Sequence, residues 1–118
     1  MMPTPKVVID VRMASGSVAI LDIQGEINAF AEEVLMEAHR KATSKGARTI
    51  VLNFNQLEFM NSSGIGLIVT LLIRVQRQKQ RMMAFGLTEH YKHILELTRI
   101  NEAILIFPTE KEVLAAAR

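Results

Sequence analysis

Two serines, Ser62 and Ser63, stand between an amide and a glycine in the segment FMNSSGIG, where the sequence pattern turns helical. Serine hydroxyls cap helices by accepting hydrogen bonds from first-turn amides, and they also accept phosphoryl groups from kinases. With Ser62 as the N-cap, its oxygen would accept from the amide of Gly64 or Ile65. A cap of this kind contributes about 1 kcal/mol and requires no further function.

The glycines of the same turn favour a binding role beside the cap. Gly64 and Gly66 lie where glycine costs about 1 kcal/mol relative to alanine in a helix interior, so another reason for them is needed. Without side chains there, another molecule can approach the backbone. A phosphate would meet unpaired amides and the positive end of the helix dipole. The sequence therefore predicts a phosphate-tolerant loop formed by Asn61, Ser62, Gly64, Ile65 and Gly66.

Enzymatic chemistry has little support in the sequence. The chain has no cysteine, and its only aspartates, Asp10 and Asp22, fall in predicted strands. No histidine is placed by sequence to activate Ser62, and the Gly-x-Ser-x-Gly motif of hydrolases is missing. We therefore predict a protein that is not an enzyme and that needs no cofactor.

Two further clusters have simpler interpretations. His90 and His93 can share a helix face beside Glu89, but a metal site needs a defined ligand set and no third ligand is evident. A basic cluster follows the long apolar helix and is typical of a solvated helix end that complements the negative dipole. Nucleic acid or anionic lipid is the minor alternative for that cluster, which consists of Arg74, Arg77, Lys79 and Arg81.

Length and charge place the chain among small folded proteins. Its 118 residues suit one domain, 1 to 118, and 49% hydrophobic with 22% charged residues is typical of a packed core. A net charge of +2 is a poor footprint for direct DNA binding. The longest strongly apolar run, Ile65 to Ile73, is far shorter than the roughly 20 residues of a membrane span, and the first ten residues lack a signal peptide pattern. We therefore expect a cytoplasmic protein.

Strands and helices alternate along the chain in the predicted order ββαβαβαβα. This order predicts an α/β domain with a mixed, mostly parallel five-stranded sheet and four helices. The predicted strands are residues 7 to 12, Val18 to Ile23, Thr49 to Phe54, Met82 to Phe85 and Ala103 to Phe107, with a break at residues 25 to 28. The predicted helices run from Ala31 to Lys45, from Ser62 or Ser63 to about Gln78, from Glu89 to Leu97, and from Thr109 to Ala117 with Thr109 as N-cap.

The helix after the serines carries more apolar surface than packing on a sheet requires. One stripe suffices for the core, and it consists of Leu67, Ile68, Leu71 and Val75. Neighbouring helices can cover the remainder, or a protein partner can bind it. That remainder consists of Ile65, Val69, Leu72 and Ile73.

The segment LNFNQLEFMNSSGIGLIVTLLI resembles the signature of STAS domains of the anti-sigma factor antagonist type. The family's usual form is an apolar strand, a short loop, and Asp-Ser-Ser/Thr-Gly-Leu/Ile-Gly. The GEIN of residues 25 to 28 is similar to the family's Gly-Glu-Ile/Leu-Asp, and HILELTRINEAILIFPTEKEVLAA resembles its last helix, strand and helix. The resemblance covers nearly the whole chain.

The resemblance implies a partner switch. In the family, an anti-sigma factor that is itself a serine kinase phosphorylates the antagonist, whereas the unphosphorylated antagonist sequesters that kinase and frees a sigma factor. The acceptor position falls on Ser62, with Ser63 as second candidate, and a serine phosphatase would reverse the step. The partner surface implied here consists of Glu26, Asn28, Met60, Ile65, Val69 and Leu72. The partner, and not this protein, would bind ATP. The sequence leaves open whether the protein forms a homodimer.

Departures from the family pattern fall at the loop and at two helix ends. Asn61 and Asn28 stand where the family usually has Asp, so two carboxylates near the acceptor become neutral amides. We predict that phosphorylation persists with altered kinetics. Lys79 with Gln80, and Arg99, occupy positions where the family often has glycine, which predicts a modest strain at helix ends.

Two other functions remain compatible with the same sequence. A STAS scaffold or lipid-transport subunit would use the serine-bearing helix as a permanent interface. A small-ligand or nucleotide binder would show saturable binding at the loop.

Overall fold

The computed structural model describes residues 6 to 117 as one α/β unit with the predicted element order. The strands are β1 (Val7–Met13), β2 (Val18–Ile27), β3 (Thr49–Met60), β4 (Arg81–Phe85) and β5 (Leu105–Phe107). The helices are α1 (Glu32–Ser44), α2 (Ser62–Arg77), α3 (Glu89–Leu97) and α4 (Glu110–Ala116). Short 3₁₀ turns precede α1 and β5, at Ala29–Ala31 and Ile100–Glu102.

The five strands form one mixed sheet in the order β1-β2-β3-β4-β5. β1 and β2 pair antiparallel as a hairpin, and every later neighbour pairs parallel, as the sequence order predicts. Helices α1, α2 and α3 pack their apolar residues on one face of the sheet. The other face carries a smaller core under α4, built around Ile20, Val51, Phe85 and Val113.

The strands β2 and β3 extend further than their sequence pattern indicates. The prediction that residues 25 to 28 break the second strand is wrong, because pairing with β3 continues to Ile27↔Met60. The pairing of β2 with β3 shifts register at Asp22/Gln24 and at Gly25/Glu26, and these bulges allow the strand to continue past Gly25. Gly25 has φ 105°, and a β-carbon there would lie 2.2 Å from the Lys6 carbonyl oxygen. The two central strands thus carry their carboxyl ends up to the serine loop.

Two other predicted boundaries shift for local reasons, and a third is confirmed. The first helix does not begin at Ala31, because residues 29 to 31 form the 3₁₀ turn capped by the side chain of Asn28. The last strand does not begin at Ala103, because that segment first completes the second 3₁₀ turn. Thr109 caps α4 as predicted, since its side chain accepts from the Glu112 amide.

Helix α2 ends in a left-handed residue that is not glycine. Lys79 has φ 57°, its amide donates to the Gln76 carbonyl at 3.0 Å, and the Gln80 amide donates to the Val75 carbonyl at 3.0 Å. This pair of bonds is a Schellman motif. Arg99 after α3 has φ 63°, so the strain predicted at both helix ends is confirmed.

We expect Lys79→Gly to raise the free energy of unfolding by about 0.5 to 1 kcal/mol. Losing the β-carbon removes left-handed strain of about 1 to 2 kcal/mol, and the greater freedom of glycine in the unfolded chain offsets part of that gain. Urea unfolding followed by circular dichroism measures the change. The matched control is Gly46→Lys, at φ 91° in the equivalent motif after α1, which should lower stability. A destabilised Lys79→Gly variant would contradict this account.

Arg12 joins the hairpin to α4 through two carboxylates. Its Nε lies 2.6 Å from Asp22 Oδ2, and its guanidinium also donates to Glu110 on α4. Burial raises the pKa of the Asp22 carboxyl, but hydrogen bonds from Arg12 and Asn53 outweigh it. The pKa of Asp22 therefore lies below its ordinary value of 3.8 in the folded protein.

Because folding lowers this pKa, Asp22 stabilises the protein above about pH 4, and that contribution is lost as the pH falls further. We expect Asp22→Asn to cost about 1 kcal/mol at neutral pH, since the ion pair is half exposed, and much less at about pH 2.5. Urea midpoints across that range measure the difference. The control is Asp10→Asn, directly opposite Asp22 in the hairpin, which removes a like charge and should not destabilise. An Asp22→Asn deficit that stays constant with pH would refute the assignment.

Candidate functional site

Ser62 and Ser63 are exposed and open helix α2 at the carboxyl end of β3. The helix begins at Ser62 as predicted, but the prediction that Ser62 is the N-cap is wrong. The cap is Asn61, whose Oδ1 accepts from the Gly64 amide at 2.8 Å. The hydroxyl of Ser62 is therefore not committed to the cap and faces solvent.

Two amides at the start of α2 have no partner within residues 6 to 117. Asn61 satisfies the amides of Gly64 and Ile65, the latter through its carbonyl at 3.0 Å. The amides of Ser62 and Ser63 donate to no described group. Free amides at a helix N-terminus, reinforced by the helix dipole, are suited to an anion.

Gly64 is required by packing inside the protein. A β-carbon at this position would lie 2.1 Å from the Ile27 carbonyl oxygen and 2.9 Å from Met60 Cγ. The expectation that both glycines open the backbone to another molecule therefore fails for Gly64, which is buried against β2. Gly66 is different, because a β-carbon there would meet no atom within 4 Å.

A buried tyrosine fixes the strand that leads into the loop. The Met60 amide donates to the Tyr91 hydroxyl at 2.9 Å, and the Asn61 amide donates to the Ile27 carbonyl at 3.3 Å. Tyr91 lies on α3 and is buried. Sequence reasoning missed it, although a lone tyrosine on an apolar helix face is a signal that its hydroxyl needs a partner. The backbone before Ser62 is thus held from two sides.

Asn28 repeats the role of Asn61 on the neighbouring turn. Its Oδ1 accepts from the Phe30 amide at 2.9 Å and caps the 3₁₀ turn. Asn and Asp cap helices about equally well, so each amide keeps the local structure that a carboxylate would give while removing a charge. Glu26, a predicted partner residue, is half buried, and its Oε2 lies 3.7 Å from Lys6 Nζ.

The structure separates the predicted partner residues into exposed and buried ones. Met60 is 4% exposed and Leu72 is 9% exposed, so both belong to the core, and their prediction as surface contacts is wrong. The pleat turns Met60 towards the helices, and Leu72 points to the core side of α2. Ile65 and Val69 are half buried, and Ile73 is 44% exposed.

Ser62, Ile65, Val69 and Ile73 follow one another at three and four residue steps, so they share one face of α2. We call these four residues the Ser62 stripe. Phe30, in the 3₁₀ turn that packs against α2, is a further exposed apolar side chain of this region. Sequence reasoning missed Phe30. Its signal is a large aromatic immediately after a capping asparagine, where the chain turns over the protein surface.

The described residues contain no candidate membrane-spanning helix and no cluster of metal ligands. Among the helices of residues 6 to 117, none combines the length and apolar content that crossing a bilayer requires. Over the same range, no three histidine, aspartate or glutamate side chains lie close enough together to hold a metal ion.

The fold and the loop define a STAS domain. The STAS domain family model matches residues 10–113, which is most of the chain. The chain therefore belongs to the STAS domain family, as its sequence resemblance predicts.

Curated relatives carry the name of one STAS type. The chain is 23% identical over 91 residues to the anti-sigma-B factor antagonist of Listeria monocytogenes, covering 77% of this chain and 80% of the relative. It is 30% identical over 95 residues to BtrV of Bordetella bronchiseptica, provisionally named an anti-sigma factor antagonist, covering 80% and 79%. The relatives thus place the chain in the anti-sigma factor antagonist branch of the family.

Solved structures share the fold over nearly the full length. The unphosphorylated form of the anti-sigma factor antagonist SpoIIAA aligns with a TM-score of 0.75 at 20% identity, covering 94% of this chain and 96% of that one. The phosphorylated form of the Bacillus SpoIIAA aligns with a TM-score of 0.72 at 20% identity, covering 94% and 100%. At these identities the likeness defines the fold alone.

Proposed function

We propose that this protein is an anti-sigma factor antagonist switched by phosphorylation of Ser62. In its unphosphorylated form it binds an anti-sigma factor serine kinase and so releases a sigma factor; a serine phosphatase restores that form. The observation that carries the proposal is the exposed Ser62 hydroxyl beside two free helix amides, at one end of an apolar stripe. The names of the relatives support the partner class.

The charge of a phosphate explains how one hydroxyl can control docking. A phosphoryl group adds roughly −1.5 to −2 charges at neutral pH. A partner that covers the Ser62 stripe would have to desolvate this dianion, which is costly without a matched cation. Free amides of Ser62 and Ser63 can hold the phosphate on the unbound protein. The modified protein therefore stays folded while its partner surface is blocked.

The two asparagines change the electrostatics of the loop and leave its shape intact. Asn61 and Asn28 keep the cap bonds to Gly64 and Phe30. A neutral amide in place of a carboxylate lowers repulsion towards a phosphate by about 1 kcal/mol in a well-hydrated site. We therefore expect the phosphorylated form to be favoured, with the acceptor geometry preserved.

A kinase assay tests the acceptor. The purified protein is incubated with ATP and the anti-sigma factor kinase of its own host, and phosphopeptides are mapped by mass spectrometry. We expect phosphate on Ser62 in the wild type and in Ser63→Ala, and none in Ser62→Ala. Incorporation that persists in Ser62→Ala and vanishes in Ser63→Ala would move the acceptor to Ser63. If the wild type incorporates no phosphate and Asn61→Asp does, the Asn61 side chain has abolished the switch.

Ile73 tests whether the Ser62 stripe is the docking surface. We expect Ile73→Ala to weaken binding to the kinase about tenfold, because it removes three side-chain carbons that the partner would bury, at up to about 0.8 kcal/mol each. Isothermal titration calorimetry measures the affinity. Val8→Ala is the matched control, because Val8 is 58% exposed and lies on the sheet face opposite α2, since its neighbours Val7 and Ile9 pack on the helix side. Equal losses in the two variants would contradict docking through the stripe.

A further inference from the structure

A concave basic surface lies at the end of the molecule opposite Ser62. There the last turns of α1 and α2 meet the first residues of β3 and β4, where the Arg81 amide donates to the Arg48 carbonyl at 2.9 Å. A groove of about 600 Å³ opens between the two helix ends. We call it the basic groove, and it is lined by His39, Arg40, Thr43, Ser44, Arg74, Arg77 and Gln78.

The lining offers hydrogen-bond donors and no carboxylate. Three of the seven lining side chains are guanidinium groups, and the others are hydroxyls, an amide and an imidazole. Arg74 and Arg77 have no carboxylate within 4 Å among residues 6 to 117. Of the three arginines, Arg40 is paired, with the exposed Glu37 one turn earlier in α1. The segments that follow the two helices add further positive charge from Lys45, Arg48 and Lys79.

Helix dipoles explain only part of this charge. The negative ends of α1 and α2 point to this end of the molecule, and each amounts to about half an elementary charge. Compensating both takes about one cation. Glu37 offsets Arg40, but Arg74 and Arg77 together with Lys45, Arg48 and Lys79 still exceed this requirement. The excess produces a field that attracts an anion.

The wall of the groove is fixed by a buried polar network. Buried His39 Nε2 lies 2.8 Å from Gln80 Oε1, and Gln80 Nε2 donates to Thr43 Oγ1 at 3.0 Å and to the Ala47 carbonyl at 2.9 Å. These bonds tie α1 to the segment between α2 and β4. The two helix ends are thereby held at a constant separation, which lowers the ordering cost of binding.

We propose that the basic groove binds a ligand carrying phosphate groups. Guanidinium groups match phosphate oxygens in a bidentate fork, and they supply most of the charge here. The volume is within the range of about 300 to 1,000 Å³ that is usual for small-molecule sites. The site is distant from Ser62, so its occupancy does not depend on the proposed switch.

Pyrophosphate is the probe that tests this site. In ¹⁵N-¹H spectra of the full chain, titration at low ionic strength should give saturable shifts centred on Thr43, Ser44 and Gln78. Arg74→Gln with Arg77→Gln should weaken the affinity at least tenfold. Lys92→Gln with Lys111→Gln removes the same charge from other helices and should weaken it less than twofold. Both pairs exchange side chains outside the core, and thermal melts verify their folding.

The outcomes separate the sources of phosphate. If pyrophosphate binds but vesicles containing phosphatidylinositol 4-phosphate do not, the ligand is a free phosphate compound. If those vesicles also bind, and phosphatidylcholine vesicles do not, the ligand class includes a lipid headgroup. Either result supports the proposal that the basic groove binds phosphate groups. The proposal is overturned by an absence of saturable shifts, by equal losses in the two variant pairs, or by binding to duplex DNA without binding to pyrophosphate.

Discussion

Gly64→Ala should destabilise the protein by about 3 kcal/mol. The added β-carbon would lie 2.1 Å from the Ile27 carbonyl oxygen, and backbone on both sides must move to relieve the contact. The Gly64 amide also donates to Asn61 Oδ1, so displacement of the helix start weakens its cap as well. Urea unfolding monitored by far-UV circular dichroism measures the loss.

Gly66→Ala is the matched control, two residues further along the same turn. Nothing lies within 4 Å of its β-carbon position, so alanine should stabilise the helix by about 0.5 to 1 kcal/mol. Opposite signs for the two substitutions are the result expected from the structure. A Gly64→Ala variant as stable as the wild type would mean that α2 does not pack on the end of β2 as described.

Ser62→Asp should weaken binding to the anti-sigma factor kinase at least about 100-fold, which corresponds to about 3 kcal/mol. The expectation depends on the proposed function, in which the partner buries the Ser62 stripe and must desolvate the new carboxylate. Phosphorylated wild-type protein carries more charge and should bind still more weakly. Calorimetric titration of the kinase with each form measures the difference.

Two controls separate the switch from general damage. Ser62→Ala should bind within a few-fold of the wild type, because the hydroxyl makes no hydrogen bond to another described residue. Ser63→Asp places the same charge about 100° further around the helix, away from the stripe, and should cost less than tenfold. If the affinity for the kinase is unchanged in Ser62→Asp, the surface is a permanent STAS interface and not a switch.

The sequence predicted the element order and the serine loop because both depend on local pattern. Alternating apolar residues define β1, and three and four residue steps define α1 and α2. The carboxyl ends of β2 and β3 were missed for a tertiary reason. Gly25 and the polar residues beyond Phe54 interrupt the pattern, yet each strand continues because its neighbour offers a partner across the bulge.

The errors at the site arise from contacts that no single segment reveals. Asparagine and serine are both good N-caps, so the choice between Asn61 and Ser62 depends on which residue is the first to adopt helical backbone angles. The burial of Leu72 depends on which elements cover that side of α2, and the role of Gly64 depends on Ile27, far earlier in the chain. The basic groove joins two segments that residues 45 to 73 separate in the sequence.

The anchoring of Met60 by Tyr91 and of Asn61 by Ile27 has a consequence for any enzyme that modifies Ser62. Many kinases bind an extended peptide in their cleft, but this backbone is hydrogen-bonded to α3 and to β2 and continues at once into a helix. The Ser62 hydroxyl is therefore held in a backbone conformation that only the folded domain provides. A kinase acting on Ser62 would have to recognise the folded surface, and its selectivity among related antagonists would depend on surface shape more than on the local sequence around the serine.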